Sequence, residues 1–295
     1  MEEKMVFSHF FDWSNIPDSI LKSQLKEVLA CGVSNLVFVD PWICRILRDP
    51  RDFGIFKYEF RNDFTFNDMH APYGECYDLA CASEGRRENM IKDHIRALGY
   101  AADFGCKTYT LHIGAYDSVF FHKPNEKLRP LVIEALEKIL PAAEKYGIVI
   151  AVENAFERSN TPDEVMYYVN YFNHPNVGCC FDNGHALIMD TFPGKGAYDD
   201  YMTNEVWSGK VENFTKAFEL MAPAMVTCHL HDNSGYSDQH LPPHEGIENW
   251  PELAEKLLHN APKLMSIQSE SLVFSKGYAI SDVVNRFRNI FPGIM

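Results

Sequence analysis

The chain has 295 residues, with 27 Lys and Arg against 41 Asp and Glu, a formal net charge of −14. Apolar residues make up 46% and charged residues 23%, the composition of a globular enzyme with a sizeable core. The acidic excess counts against nucleic acid and anionic membrane surfaces as partners, and no apolar run reaches the ~20 residues that span a bilayer.

Short β-type runs alternate with longer amphipathic stretches along the whole chain. The start, Met1-Glu2-Glu3-Lys4, shows no secretory pattern, so a cytoplasmic location is expected. Residues 5–9 form the first expected strand. The aromatics Phe7, Phe10, Phe11 and Trp13 around it are read as core or rim packing, with stacking on a sugar ring as the alternative. The second strand is expected over 35–40. After it, residues 41–62 offer only a short helix near 43–48 and then a charged loop. A third strand (64–70) leads to a helix over 86–104, whose Arg86-Arg87 pair is read as a solvated face. A fourth strand (107–113) precedes a helix over 126–146, with Leu131, Ala135, Leu136, Ile139 and Leu140 at three- and four-residue spacing. The fifth strand is expected over 148–153. Thr161-Pro162-Asp163-Glu164 then reads as a helix start: a capping Thr, Pro in the first turn, and acids at the positive dipole end. A sixth strand (177–182) is followed by a Gly-, Pro- and Asp-rich loop over 190–201, read as either a lid or solvated surface, and by a helix over 205–221. A seventh strand (225–231), a helix over 250–259 anchored by Trp250, and an eighth strand (265–270) complete the pattern.

Eight βα units without a Gly/Ser-rich linker predict one closed (β/α)₈ barrel, a single domain over residues 1–295. A doubly wound open sheet is the alternative, but its usual glycine-rich first βα turn has no counterpart in Val6-Phe7-Ser8-His9-Phe10. The eight cysteines (31, 44, 76, 81, 106, 179, 180, 228) form no CxxC pair and are expected as buried reduced thiols.

In such a barrel the C-terminal strand ends share one mouth, where catalytic residues collect. Here those ends carry His70, His112, Glu153, Asp182, His229 with His231, and Glu270. A lone His or Glu at a strand end is more often a hydrogen-bonded structural group than a ligand. Six of eight strands ending in metal-competent types is a different matter, because several buried carboxylates are best partnered by a divalent cation. His185, three residues after Asp182, and Asp238 and His240, after the turn at Asn233-Ser234-Gly235, fall on the same mouth.

The segments Met69-His70-Ala71-Pro72-Tyr73, Leu111-His112-Ile113-Gly114, Val152-Glu153-Asn154, Phe181-Asp182-Asn183-Gly184-His185, Cys228-His229-Leu230-His231-Asp232, Asp238-Gln239-His240-Leu241-Pro242 and Ser269-Glu270 together resemble the xylose-isomerase-like barrel superfamily. It contains sugar and sugar-phosphate isomerases and epimerases and also the endonuclease IV-type apurinic endonucleases. In the epimerase branch the resemblance implies one metal on Glu153, Asp182, His229 and Glu270, with Glu153 and Glu270 doubling as catalytic acid and base and His185 touching substrate. In the endonuclease branch it implies three zinc ions on those four plus His70, His112, His185, Asp238 and His240. The chain departs from that second branch where DNA is gripped. Asp40-Pro41-Trp42-Ile43-Cys44 lacks a basic, amide-rich segment, Gly74 stands where a bulky apolar wedge is expected, and His231 replaces an Asn.

The resulting expectation is a metal-dependent sugar or sugar-phosphate isomerase or epimerase, moving a proton alpha to a carbonyl through a metal-stabilised enediolate. Its alternative is a trinuclear zinc hydrolase of the endonuclease IV type, and a third reading is a non-enzymatic metal sensor on a retired barrel. Carboxylate-rich ligation predicts Mn²⁺, Mg²⁺ or Co²⁺, and Zn²⁺ if the outer histidines also bind. His9, His185 and His231 are the expected substrate contacts. The expected partner is a small sugar or polyol-derived compound rather than nucleic acid or membrane, and self-association into a homo-oligomer is left open.

Overall fold

In the computed structural model, residues 5–13, 16–60, 63–114, 123–155, 157–190 and 214–294 are described, and eight parallel strands close into a barrel in sequence order. The strands are β1 (Val6–His9), β2 (Asn35–Phe38), β3 (Thr65–His70), β4 (Thr108–Leu111), β5 (Val149–Glu153), β6 (Val177–Asp182), β7 (Met225–Leu230) and β8 (Ser266–Ser269). The chain is a (β/α)₈ barrel, as the alternation of elements predicts. Strands β4, β7 and β8 end one or two residues earlier than expected, so His112, His231 and Glu270 stand just past them, at the mouth.

Between the strands lie helices α1 (Asp18–Ala30), α2 (Asp40–Arg48), α3 (Arg51–Phe60), α4 (Glu84–Phe104), α5 (Asn125–Tyr146), α6 (Pro162–Phe172), α7 (Asn183–Met189), α8 (Phe214–Met221), α9 (Trp250–Asn260) and α10 (Ile280–Ile290). The charged loop expected before residue 62 is instead α3. Its Phe56 and Phe60 are buried against Trp42, and Phe60 also meets Phe66, so packing overrides a weak amphipathic signal. Thr161 does cap α6, accepting from the Glu164 amide at 3.4 Å, with Pro162 in the first turn. The loop expected over 190–201 and the first half of the helix expected over 205–221 lie outside the described residues.

Side chains alternate across each strand. One set, including Phe7, Phe38, Phe66, Tyr109, Val152, Phe181, Cys228 and Ile267, packs outward on the helices as one continuous core. The other set points into the lumen, and its lower layer is polar. Asp68 accepts hydrogen bonds from the hydroxyls of Ser8, Thr108 and Ser266, the latter two at 2.5 Å, and Thr227 joins Ser266 at 2.8 Å. Burial raises the Asp68 pKa, and the surrounding hydroxyls partly offset that. The same alternation, two or four residues further along, sends His70, His112, Glu153, Asp182, His229 and Glu270 into the mouth above this floor.

The aromatics near β1 fulfil the packing expectation, with Phe7, Phe11 and Trp13 buried in the core. Arg86 pairs with Glu75 at 2.7 Å and Arg87 with Glu134 at 3.2 Å. All eight cysteines are free thiols; five are buried as expected, while Cys31 and Cys44 are half-buried and Cys76 is exposed. No helix among the described residues is long and apolar enough to cross a membrane.

Candidate active site

Paired register sets the spacing at the mouth. Asp182 lies directly opposite His229, Glu153 opposite Cys180, and His229 opposite Gln268, so parallel neighbours deliver their polar ends at one level. Asn154 reinforces this: its side-chain carbonyl accepts from the Asp182 amide at 2.8 Å, and its NH₂ donates to the Asp182 carbonyl at 3.0 Å.

The inner group is Glu153, Asp182, His229 and Glu270, all buried, with one ligand atom from each lying within 4.8 Å of the others. His229 Nδ1 faces Glu153 Oε1 at 3.0 Å, Glu270 Oε1 at 3.0 Å and Asp182 Oδ2 at 3.9 Å. One ring proton cannot serve three carboxylates, whereas a divalent cation satisfies the imidazole and the carboxylates together. Asp182 Oδ2 and His229 Nε2 have no hydrogen-bond partner among the described residues. This donor set fits a divalent cation. Burial alone would lower the His229 pKa, but Glu153 and Glu270 outweigh it and push it up to about 10. Burial acts against the Glu153 carboxylate too, and His229 and His112 overcome it to hold its pKa well below the usual range. Both shifts describe a pocket that attracts positive charge.

Beside this group, His112 Nε2 lies 3.0 Å from Glu153 Oε2, and His70 Nε2 lies 3.6 Å from the same oxygen. The Nδ1–H of His70 donates to the Ala71 carbonyl at 2.8 Å, leaving Nε2 turned to the site. Tyr73, half exposed, stacks on His112 with centroids 5.3 Å apart and meets the edge of His70.

An outer group gathers His185, His231, Asp238 and His240, again within 4.8 Å of one another. Asp182 stands between the two groups. Its Oδ1 is 3.3 Å from His231 Nε2 and 3.5 Å from His185 Nδ1, while its Oδ2 faces His229.

Ten of the eleven candidates named above therefore share one mouth. His9 does not. On β1 it falls on the face opposite to the lumen-facing Ser8, stacked on Phe11 and against Phe7 and Phe287, and it is 2% exposed. Burial holds its ring neutral, with a pKa lowered to about 3, so its expected substrate contact is replaced by a packing role.

Two features of the mouth escape the sequence reading. Asp40, the last residue of the expected second strand, opens α2 instead. Burial raises its pKa to about 6, partly opposed by His70, which places its carboxyl in the electrostatic field of the site. Its position at a strand end was the available signal. The second is Asp232, whose carboxylate gathers the amides of Asn233, Glu248 and His244 and the Trp250 indole, at 3.0 to 3.1 Å. It folds the segment carrying Asp238 and His240 back over the mouth, and no local motif announces it.

Residues 58–277 match the family described as xylose isomerase-like TIM barrel. An uncharacterised protein of Methanocaldococcus jannaschii is 28% identical over 195 residues, a match covering 64% of this chain and 59% of that protein. The chain thus matches about three fifths of the length of this relative. Among solved structures, a D-tagatose 3-epimerase-like protein superposes with a TM-score of 0.72 at 18% identity, covering 97% of this chain and 96% of its own. A 3-keto-D-glucoside 4-epimerase from E. coli superposes with a TM-score of 0.68 at 13% identity, covering 97% and 99%. At these identities the likeness establishes the fold.

Proposed function

The chain belongs to the xylose isomerase-like TIM barrel family, and from that premise we propose that it is a metal-dependent sugar isomerase or epimerase. The observation carrying this reading is that Glu153 and Glu270, from strands three apart around the barrel, both approach the single His229 Nδ1 at 3.0 Å, with Asp182 alongside. The names of the two epimerase-type structures described above support the same direction. Glu153, Asp182, His229 and Glu270 hold the divalent ion, which when bound supplies Lewis-acid polarisation of a substrate carbonyl and its neighbouring hydroxyl.

The two glutamates are differently equipped. Both oxygens of Glu153 are engaged, one by His229 and the other by His112 at 3.0 Å, so a proton leaving or reaching Glu153 has His112 beside it as a partner. Glu270 commits Oε1 to His229, while its Oε2 is 3.8 Å from the nearest imidazole nitrogen, that of His240. Glu270 is therefore the base that removes the proton alpha to the carbonyl, and the Glu153–His112 pair returns one. His185 contacts a substrate oxygen, and Tyr73 offers a ring face at the mouth for a sugar to pack on.

The test is deuterium wash-in from D₂O across a ketose panel, with Glu153→Gln and Glu270→Gln each expected to lower exchange by about 10²-fold or more. The convergence of nine metal-competent residues also suits the zinc hydrolase reading. Cleavage of an abasic oligonucleotide without exchange into any ketose would replace the isomerase proposal by that one.

A further inference from the structure

Strand β1 meets β8 over four residues, Val6 to His9, but meets β2 through a single register pair, His9 opposite Leu36. Below that pair Val6 and Phe7 run on with no strand beside them, because the chain leading into β2 turns at Gly32, whose φ is +77°. Asn35 bridges the top of this opening. Its NH₂ donates to the Phe7 carbonyl at 3.1 Å and to Ser8 Oγ at 2.7 Å. Beneath it lies a cavity of about 270 Å³, bounded by Met5, Phe7, Val33, Asn35, Arg288 and Ile294. It sits at the N-terminal ends of the strands, the face opposite the mouth where a barrel's chemistry collects.

One wall of this cavity carries fixed positive charge. Arg288, in the last turn of α10, donates to the Cys31 carbonyl at 3.1 Å and to Asn285 Oδ1 at 3.0 Å, which holds its guanidinium in place. A guanidinium has five N–H donors, so further donors remain for a ligand. No carboxylate pairs with Arg288 among the described residues, and none lines the cavity. His9 also borders the cavity, and burial keeps its ring neutral, so Arg288 is the one charged side chain on the lining. The other walls are largely apolar, formed by Met5, Phe7, Val33 and Ile294. A sugar seated there would press hydroxyls against surfaces that cannot bond them. A molecule with one anionic end and an apolar body meets both kinds of wall. The volume, just under the ~300–1,000 Å³ usual for ligand pockets, holds one small molecule.

We propose that this cavity is a second ligand site, separate from the mouth, that takes a small apolar monocarboxylate. The carboxylate accepts charge-assisted hydrogen bonds from Arg288, and the hydrocarbon body lies against Phe7, Val33 and Ile294. Such a ligand touches β1, the turn before β2 and α10 at once. It therefore fastens the seam that one register pair holds, and its binding stabilises the folded chain. The inference stands independently of the isomerase proposal.

Methyl-resolved NMR of the full chain, titrated with sodium benzoate as the probe, tests it. The expected result is a saturable shift centred on the methyls of Met5, Val33 and Ile294, with a Kd of about 1 mM. Benzamide keeps the size and loses the charge, and inorganic phosphate keeps the charge and loses the body. Each should bind about 10-fold more weakly than benzoate, or worse. Arg288→Gln should weaken benzoate by a similar factor and, because Arg288 is exposed, leave the thermal melt of the free protein unchanged. If that variant does unfold, the benzamide comparison on the unaltered chain decides the matter. No saturable shift by about 50 mM benzoate, shifts centred on other methyls, benzamide or phosphate binding as well as benzoate, or undiminished binding to folded Arg288→Gln would each overturn the proposal.

Discussion

Replacing Asp232 by asparagine keeps the side chain's shape and changes one acceptor oxygen into an NH₂ donor. In the protein Oδ1 receives the amides of Asn233 and Glu248 at 3.0 and 3.1 Å, and Oδ2 receives the His244 amide and the Trp250 indole N–H, both at 3.0 Å. Whichever way the new amide is turned, two of the four donors lose their acceptor and face another donor. The carboxylate is fully buried, so water does not fill in. Hydrogen bonds to a charged group contribute ~1.5–3 kcal/mol each, and the loss of two gives about 4 kcal/mol. For a chain of this length that corresponds to a fall of about 6 °C in Tm. The antiparallel bridge between Asp232 and Leu241 hangs on the same anchor, so the segment bearing Asp238 and His240 should loosen. Differential scanning calorimetry of metal-stripped protein reads the first effect, and Zn²⁺ affinity reads the second. A Tm within about 1 °C of wild type would show that Asp232 is not the anchor described.

Three further outcomes are expected. His9 has a folded-state pKa lowered to about 3, so below pH 6.5 the unfolded chain takes up a proton that the folded chain refuses. Stability then falls as the pH drops from 6.5 toward 3, and between pH 7 and pH 5 this group alone removes about 2 kcal/mol. His9→Phe should lose that component, and identical pH dependence of urea unfolding in both proteins would contradict it. Gly178→Ala would place a Cβ 2.6 Å from Val226 Cγ1 and 2.9 Å from the Ala224 carbonyl. It should destabilise by ~1–3 kcal/mol, and an unchanged thermal melt would refute the close approach. Finally, stripping divalent metal leaves Glu153, Asp182 and Glu270 crowded round His229. Restoring an ion at about 100 times its Kd should stabilise by ~2.7 kcal/mol, and no response to EDTA or to added Mn²⁺, Co²⁺ or Zn²⁺ would argue against any metal at the mouth.

Much of the inner site was legible because two local regularities sufficed. Strand-to-helix alternation implies a parallel barrel, and a parallel barrel gathers its C-terminal strand ends, so His70, His112, Glu153, Asp182, His229 and Glu270 could be placed at one mouth without knowing any distance, while the narrower set of Glu153, Asp182, His229 and Glu270 came from the family resemblance. His9 shows where that logic stops. It occupies a strand end like the others, but side-chain direction reverses at every residue, and a shift of one position sends it to Phe11 and Phe287 rather than to the lumen. Asp40 was missed for the converse reason: its strand ends early, and the residue opens a helix while still lying beside the mouth. Helix α3 was hidden because its burial comes from aromatic partners on the neighbouring elements, Trp42 of α2 and Phe66 of β3, rather than from a strong amphipathic pattern of its own.

By itself, then, the sequence determined the barrel and the chemical types at its mouth, since periodicity and residue chemistry are local properties that survive any choice of tertiary detail. The tertiary structure alone decided which imidazole nitrogen of each histidine faces the site, through carbonyls of Ala71, Asn154 and Glu270 that lie next to their histidines only after folding. It also decided that Asp182 separates two groups rather than serving one, and that His231 joins the outer group. Those outcomes depend on strand register and on where Asp232 returns a distant segment, and these long-range constraints have no local signature to read.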